Sequence, residues 1–172
     1  MLNHSATGSF IERVVYGTSL KRTLIRATIL AVTCIVTAKF IFIPVRIDGA
    51  SMVPTYSKRG LNFVNRLAYM RTAPQRGDVV AVRMREHANS VFLMKRVVGL
   101  PGERIGFEDG TVTVNGERLA EPYVEYPSDW DMVPVECGVD EYFVVGDNRS
   151  MPMEDHWFGR AKANLIAGRM ML

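Results

Sequence analysis

Cysteine and histidine are scarce in this sequence, and their scarcity argues against two common kinds of site. The only two cysteines are Cys34, inside an apolar run, and Cys137, much farther along the chain. We therefore expect two free thiols and no disulfide framework. The three histidines, His4, His87 and His156, are far apart and give no metal-ligand spacing. Neither a metal nor an organic cofactor is predicted; a zinc site assembled from distant residues is the alternative.

The sequence also lacks the continuous positive charge of a nucleic-acid-binding surface. Its net charge is only +3, and residues 1–44 carry five basic residues and one acid. Residues 45–172 carry 16 basic and 17 acidic residues, so this long remainder is nearly neutral. We predict no nucleic-acid partner. With 172 residues, of which 48% are hydrophobic, the chain is long enough for one packed domain and an anchor.

One long apolar run is present, and it occupies residues 24–45 with the sequence LIRATILAVTCIVTAKFIFIPV. A helix of about 20 mostly apolar residues crosses the hydrocarbon of a bilayer. Arg26 lies near the start of the run and Lys39 near its end, where long side chains reach the headgroups. Pro44 cannot continue helical hydrogen bonding and is a suitable stop. We predict a transmembrane helix at residues 24–45.

The placement of basic residues predicts the orientation of the chain in the membrane. An excess of lysine and arginine marks the cytoplasmic side of a membrane helix. Four basic residues precede the core of the run: Arg13, Lys21, Arg22 and Arg26. We predict a cytoplasmic leader at residues 1–23 and an extracytoplasmic domain at residues 46–172, joined by a single pass through the cell membrane.

Two alternatives to a permanent anchor stay open. The first is a cleavable secretory signal with its apolar region at residues 27–36 and a small-residue cleavage site at Val36-Thr37-Ala38. The long leader and the continuing apolar residues 40–43 argue against it. The second is a buried helix of a soluble protein. N-terminal sequencing of membrane-bound material separates these readings.

The remainder of the chain has the pattern of a mainly β domain. Short runs rich in valine alternate with turn signals, of which Asn115-Gly116 is the strongest hairpin signal. The predicted strands, which we expect to be mostly antiparallel, lie at residues 79–82, 91–98, 111–114 and 141–145. Residues 61–70 fit a strand or a short helix, and residues 121–139 suggest an irregular, partly packed loop. Trp157, Phe158 and residues 170–172 form either an apolar patch at the lipid interface or a closing strand of the core.

Ser51 and Lys95 are the residues whose chemistry could make this chain a hydrolase. A serine hydroxyl becomes a nucleophile when a base removes its proton, and a lysine serves as that base when burial disfavours its ammonium form. In a strand, Lys95 shares a face with Leu93 and Val97, while Arg96 points to the opposite face. From the pattern alone, Ser51 could equally be an ordinary surface serine and Lys95 an ordinary solvated lysine.

Four ordered segments resemble the conserved boxes of bacterial type I signal peptidases. Together they extend from about Ile47 to Gly159 and follow the apolar run. Four boxes in this order are a specific signal, whereas any one of them alone is not. The segments are Gly49-Ala50-Ser51-Met52-Val53-Pro54-Thr55, Arg76-Gly77-Asp78-Val79-Val80, Lys95-Arg96-Val97-Val98-Gly99-Leu100-Pro101-Gly102-Glu103, and Gly146-Asp147-Asn148-Arg149 with Phe158-Gly159.

The resemblance implies roles for the residues at matching positions. Ser51 would be the acylated nucleophile, and its backbone N–H would form part of the oxyanion hole. Lys95 would be the general base. In some family members a serine two residues before the nucleophile supplies a second oxyanion donor, whereas Gly49 stands there in this chain. Met52 would line the substrate cleft or pack in the core. Supporting roles fall to Asp147, Arg149 and Ser150, with Asp147 and Arg149 forming a structural ion pair.

The last box departs from the family pattern. Pro152 stands where a serine usually hydrogen-bonds the lysine amine, and proline has no side-chain donor or acceptor. Glu154, Asp155 and His156 stand for the usual Asp, Ser and Arg. Ser150 is an alternative partner for Lys95. These departures keep a non-catalytic homologue open as an alternative.

The combined interpretation is a membrane-anchored serine endopeptidase with a signal-peptidase-like antiparallel β domain. Its partners would be the lipid bilayer and preprotein substrates, from which it removes signal peptides. Ser51 is seven residues beyond Pro44, so an extended linker reaches at most about 25 Å and keeps the nucleophile near the membrane. Alternatives are a dedicated peptidase for a conjugative-transfer or pilin substrate, an anchored binding protein, and a self-cleaving repressor-type protease.

Overall fold

The computed structural model describes residues 20–86 and 89–171 of the chain. The chain divides after Ile41 into two compact units. Among the described residues, the first unit contains one helix and the second contains all the strands. Residues 1–19 of the predicted leader, together with His87 and Leu172, lie outside the described residues.

Helix α1 runs from Leu20 to Ile41 and is the one helix among the described residues that is long and apolar enough to cross a membrane. Its 22 residues rise about 33 Å, close to the thickness of a bilayer's hydrocarbon. The predicted bounds, 24–45, were displaced by four residues, because residues 42–45 begin a strand. Pro44 does not stop the helix; it lies on an edge strand, where a missing N–H is tolerated.

The second unit is built from two antiparallel sheets. A seven-stranded sheet has the order β1-β2-β11-β3-β4-β9-β10, and a four-stranded sheet has the order β7-β6-β5-β8. Each strand pair is antiparallel, which confirms the predicted mainly β class. The strands are β1 (Phe42–Asp48), β2 (Arg59–Asn65), β3 (Val79–Glu86), β4 (Asn89–Gly99), β5 (Arg104–Glu108), β6 (Thr111–Val114), β7 (Glu117–Arg118), β8 (Met132–Glu136), β9 (Glu141–Val145), β10 (Gly159–Lys162) and β11 (Ile166–Met170).

The four strands predicted from valine-rich runs correspond to β3, β4, β6 and β9. The turn between β6 and β7 has Asn115 at φ 54° and Gly116 at φ 88°, the conformation for which Asn-Gly is preferred. The ambiguous segment 61–70 lies in β2 as far as Asn65 and then turns. The segment 121–139, expected to be irregular throughout, contains β8.

Two strand edges face a common cleft. β1 is the first strand of its sheet, and among the described residues it pairs only with β2. β4 pairs with β3 along one edge and with β9 along the other, but the pairing with β9 begins only at Arg96. Among the described residues, the earlier part of β4 therefore pairs with β3 alone. Unpaired strand edges present backbone donors and acceptors. This topology therefore leaves backbone hydrogen-bonding groups along β1 and the first part of β4.

An aromatic cluster fills the core between the two sheets. Phe107 of β5 contacts Trp130, Phe143 and Phe158, with ring centroids 5.5, 6.5 and 5.9 Å away respectively. Met170, in β11, is buried in a separate cluster with Met52. Met170 thus packs in the core on the last strand, as the closing-strand alternative predicted, and Phe158 packs against the aromatic cluster, whereas Met171 is 42% exposed.

Candidate active site

Ser51 lies in a tight turn between β1 and β2. Gly49 N–H donates to the Lys58 carbonyl at 3.0 Å, and Tyr56 N–H donates to the Met52 carbonyl at 2.9 Å, which closes the turn on both sides. Met52 is buried at 2% exposure and anchors the turn in the core. Met52 also lines a cleft described below, and its predicted contact with substrate stays a prediction. The turn carries Ser51 at the boundary between core and cleft.

Lys95 lies on β4 and is buried, with only 3% of its surface exposed. Its register opposite Val80 places it on the face of Val80, Val82 and Val97, as the strand pattern predicts. Burial disfavours the ammonium form and lowers the pKa of Lys95 to about 8, against an opposing contribution from the Asp147 carboxylate. A lysine with this pKa is partly neutral near physiological pH, which is the requirement for a general base.

The segment Gly146–Asn148 lies between the backbone of Ser51 and strand β4. Asn148 N–H donates to the Ser51 carbonyl at 3.0 Å, and Asn148 Nδ2 donates to the Ala50 carbonyl at 3.1 Å. Arg96 pairs with Val145, so the same register continues with Gly146 alongside Lys95. One short segment therefore contacts the turn of Ser51 and approaches the strand of Lys95. No hydrogen bond between the Ser51 hydroxyl and the Lys95 amine is found within the described ranges.

Asp147 forms an ion pair with Arg96, not with Arg149. Its carboxylate is fully buried and accepts from Arg96 Nε at 2.8 Å and from Arg96 Nη2 at 2.6 Å. Thr55 Oγ1 donates to the same carboxylate at 2.6 Å. The Arg96 guanidinium lies over the Tyr123 ring, 3.9 Å from its centroid. Asp147 thus connects the turn of Ser51 to Arg96, the residue next to Lys95.

Arg149 is fully buried and pairs with Glu121 instead. Its Nη2 and Nη1 donate to the two Glu121 carboxylate oxygens at 2.5 and 3.1 Å, and its Nε donates to the Gly146 carbonyl at 2.8 Å. The predicted Asp147–Arg149 pair is therefore wrong. Each residue has a buried partner of opposite charge from a distant segment, and a bidentate contact satisfies both groups better than a pair two residues apart.

Ser150 does not take the place of the missing serine beside Lys95. The Ser150 side chain is directed to its own turn, where its hydroxyl donates to Asn148 Oδ1 at 2.7 Å. Pro152 is exposed and precedes a short 3-10 helix at Met153–Asp155. Within the part of the chain that the structure describes, Lys95 has no hydrogen-bond partner, so the suggestion that Ser150 reaches the amine is wrong.

His156 is the residue at this site whose role the sequence did not reveal. It was noted only as a departure from arginine, yet it is 3% exposed and its Nε2 accepts from Gly146 N–H at 3.1 Å. The pKa of His156 is lowered to about 3, mainly by burial and further by the charges of Lys95 and Arg149. A departure from the family pattern directly after two acidic residues was the signal that could have marked it.

A cleft of about 210 Å³ opens beside Ser51, between the unpaired edges of β1 and β4. Residues 45–49 line one wall and residues 91–94 the other, with Met52, Ala81 and Met170 at the base. The lining is largely apolar, and among the described residues β1 pairs only with β2 and residues 91–94 of β4 pair only with β3. An extended peptide placed here could add a strand, the arrangement by which many domains bind peptides. No group of three His, Cys, Asp or Glu side chains suited to a metal occurs in the described segments.

Comparisons with known proteins find one family model and several similar proteins. The family model described as signal peptidase, peptidase S26, matches residues 20–172. A signal peptidase I of Leptolyngbya laminosa is 31% identical over 132 residues, 73% of this chain and 65% of that protein. Signal peptidase I V of Bacillus subtilis is 31% identical over 142 residues, 74% of this chain and 83% of that protein. The chain thus spans less than two thirds of the Leptolyngbya relative.

Among solved structures, a signal peptidase I from Enterococcus faecalis V583 is similar to this chain. It is 26% identical, the match covers 58% of this chain and 98% of that one, and the TM-score is 0.45.

Proposed function

The chain belongs to the signal peptidase family, peptidase S26, and on this basis we propose that it is a membrane-anchored endopeptidase that removes signal peptides from secreted precursors. Membership of the family indicates a serine peptidase, and hence a hydrolase. The finer assignments, namely the catalytic residues, the substrates and the orientation in the membrane, are proposals argued from the site.

The observation that carries the mechanism is the buried Lys95, whose pKa of about 8 leaves part of the amine neutral. In the proposed reaction, neutral Lys95 takes the proton of the Ser51 hydroxyl as the oxygen attacks the scissile carbonyl carbon. Lys95 then gives that proton to the departing amine. In the second half, Lys95 deprotonates a water that hydrolyses the acyl ester and frees Ser51.

The oxyanion of each tetrahedral intermediate requires hydrogen-bond donors at a fixed position. We assign one of them to the Ser51 backbone N–H, since the turn holds this backbone through the Asn148 N–H contact to the Ser51 carbonyl. Gly49 offers no side-chain donor for the second position. Its site is open, however, with no heavy atom within 4 Å of where a β-carbon would be.

The substrate would bind as an extended strand in the cleft beside Ser51. Backbone groups along β1 and the first part of β4 would pair with it, and the apolar lining would receive alternate side chains. The same geometry suits a segment that emerges from a membrane in an extended form. These features support a peptide substrate of a secreted precursor, the class implied by the family.

Helix α1 supports the membrane anchor. Its length and apolar character fit a bilayer span, and the basic residues before its core favour a cytoplasmic N-terminus. We propose that the peptidase domain faces away from the cytoplasm at the cell membrane. N-terminal sequencing of the membrane-bound protein should return the residues before α1; a mature form starting near residue 39 would instead support the cleavable signal.

The proposal is tested with purified full-length protein and a model precursor in liposomes. Ser51→Ala and Lys95→Ala should each abolish release of the mature product while leaving membrane insertion unchanged. Ser57→Ala and Lys162→Ala are the matched controls, since both side chains are exposed, and they should process the precursor at the wild-type rate. Wild-type processing by Ser51→Ala or Lys95→Ala would remove the dyad assignment.

The range of substrates separates the remaining alternatives. A general enzyme should cut several unrelated precursors, whereas a dedicated conjugative-transfer or pilin peptidase should cut one and leave the others intact. A non-catalytic homologue should bind a precursor without cutting it. Cleavage of the chain itself in place of a precursor would favour the self-cleaving repressor-type alternative.

A further inference from the structure

His156 has a closely defined environment beside the candidate dyad. Its ring meets Trp130 edge to face, with centroids 5.0 Å apart and planes at 84°, and Phe158 lies 6.4 Å away. Its Nε2 accepts from the Gly146 N–H at 3.1 Å. The ring is thus held by two edge-to-face aromatic contacts and by one backbone hydrogen bond.

The direction of that hydrogen bond defines the protonation state of the ring. Because Nε2 accepts, a neutral His156 must carry its proton on Nδ1. Nδ1 is buried and has no hydrogen-bond partner in the described parts of the chain. A second proton, on Nε2, would remove the acceptor and place a cation in a buried site that already faces Lys95 and Arg149. The structure therefore requires an uncharged imidazole.

Gly146 lies between His156 and the backbone of Ser51. Its N–H is held by His156 and its carbonyl accepts from Arg149 Nε at 2.8 Å, so both polar groups of the residue are fixed. A β-carbon on Gly146 would lie 2.2 Å from the Ser51 carbonyl oxygen and 2.5 Å from His156 Nε2. Gly146 therefore lies in contact with Ser51 on one side and with His156 on the other.

We propose that His156 is a positioning residue that acts through Gly146: its neutral ring accepts the Gly146 N–H and holds the Gly146–Asn148 segment against the backbone of Ser51. The proposal rests on the proposed serine peptidase function.

The charged groups around His156 determine what a substitution would do. Lys95, on β4, and Arg149, in the segment after β9, are the two cations that act on His156. Glu121 forms an ion pair with Arg149. The negative charge of Asp147, which lies in the same segment as Arg149, favours the ammonium form of Lys95. Glu154 and Asp155, in the turn of His156, are exposed. A permanent cation at residue 156 would disfavour the ammonium form of Lys95. His156→Arg should therefore move the acidic limb of the pH–rate profile to lower pH.

Two nearly isosteric variants separate positioning from simple packing. His156→Gln keeps an acceptor near Nε2, whereas His156→Met fills the space without one. In liposomes, His156→Met should lower kcat for the model precursor by about 10- to 100-fold with KM nearly unchanged, because the nucleophile is displaced but the cleft is not. His156→Gln should recover most of kcat. Unfolding midpoints of both variants show whether stability accounts for the difference.

A second measurement does not depend on catalysis or on the folding of a variant. Ring ¹⁵N chemical shifts of His156 in the detergent-solubilised wild type should report a neutral Nδ1–H tautomer throughout pH 5 to 9. A Nε2–H tautomer, or a titration within that range, would overturn the proposal. Equal kcat for His156→Met and wild type would do so as well, and so would equal loss in the Met and Gln variants.

The proposed function fails separately. If Ser51→Ala and Lys95→Ala remain active, the peptidase assignment falls whatever His156 does. If both are inactive and His156→Met matches the wild type, only the positioning role is lost.

Discussion

Gly146 contacts the carbonyl oxygen of Ser51 so closely that a β-carbon at residue 146 would lie 2.2 Å from it. No rotamer change relieves such a contact, because the oxygen belongs to the backbone. The backbone itself must move, and it is the backbone that carries the proposed nucleophile. We expect Gly146→Ala to lower kcat strongly and to destabilise the fold by about 1–3 kcal/mol.

Gly60→Ala is the matched control for this substitution. Gly60 lies in β2 without a positive φ, and no heavy atom is within 4 Å of its added β-carbon. Precursor processing and chemical unfolding should be close to wild type in this variant. Normal activity of Gly146→Ala would show that Ser51 tolerates displacement, contrary to the proposed site.

Lys95 makes the fold less stable at neutral pH than an apolar residue would. Its pKa falls from 10.5 to about 8 in the folded state, mainly through burial, so folding disfavours the bound proton. The cost is fully present below pH 8, declines between pH 8 and 10.5, and vanishes above that range. Lys95→Met should therefore raise the free energy of unfolding at pH 7 by about 3 kcal/mol while abolishing activity.

Denaturant unfolding at pH 7 and pH 10.5 measures this effect. The difference between Lys95→Met and the wild type should shrink at the higher pH. Lys162→Met, at an exposed position, should show no such pH-dependent gain. An unchanged stability of Lys95→Met at pH 7 would mean that the amine is hydrated in solution.

The Arg149–Glu121 ion pair should contribute strongly to stability because both groups are buried. Arg149 has no exposed side-chain surface and Glu121 only 7%. Arg149→Met leaves a buried carboxylate unpaired and should cost about 3–5 kcal/mol. Arg118→Met, which breaks the exposed pair with Asp109, should change stability by less than about 1 kcal/mol. Equal effects in the two variants would contradict the burial argument.

Gly49 offers a gain-of-function test of the oxyanion hole. The position is open and lies two residues before Ser51, so Gly49→Ser should fold normally and place a hydroxyl at the rim of the cleft. An added donor to the oxyanion should raise kcat about tenfold, somewhat less than the loss seen when an established donor is removed. Gly49→Ala adds the β-carbon without the hydroxyl and should leave kcat unchanged. A fall in kcat for both variants would show that the rim must stay open.

Local patterns in the sequence identified the helix and four of the eleven described strands. Runs of β-branched residues bounded by glycine, asparagine and proline identified β3, β4, β6 and β9, because a half-buried strand and a tight turn impose these residue types. The same reasoning placed the helix, although its end was set four residues too late. Phe42 to Val45 are apolar enough for either element, and pairing with β2 decides for the strand.

Pairings between distant segments were beyond the reach of local pattern. Nothing near Asp147 in sequence indicates Arg96, 51 residues away, and the adjacent Arg149 offered a simpler but wrong partner. Glu121 likewise lies in a segment that was expected to be irregular. Ser51 and Lys95 were identified through the family resemblance, and their catalytic roles stay predictions. The importance of His156 depends on Trp130 and Gly146, which only the folded chain brings to it.

If precursors bind as proposed, the unpaired edges of β1 and β4 would restrict which precursors are cut as well as where they bind. A helical segment uses its backbone amide groups for its own hydrogen bonds. It therefore leaves few groups that could pair with the two strand edges. Scission would then wait for local unwinding of the precursor, so a stretch locked into a helix would resist hydrolysis even when fully accessible. Selection among precursors would depend first on the backbone conformation of the precursor, and only then on how its side chains fit the cleft.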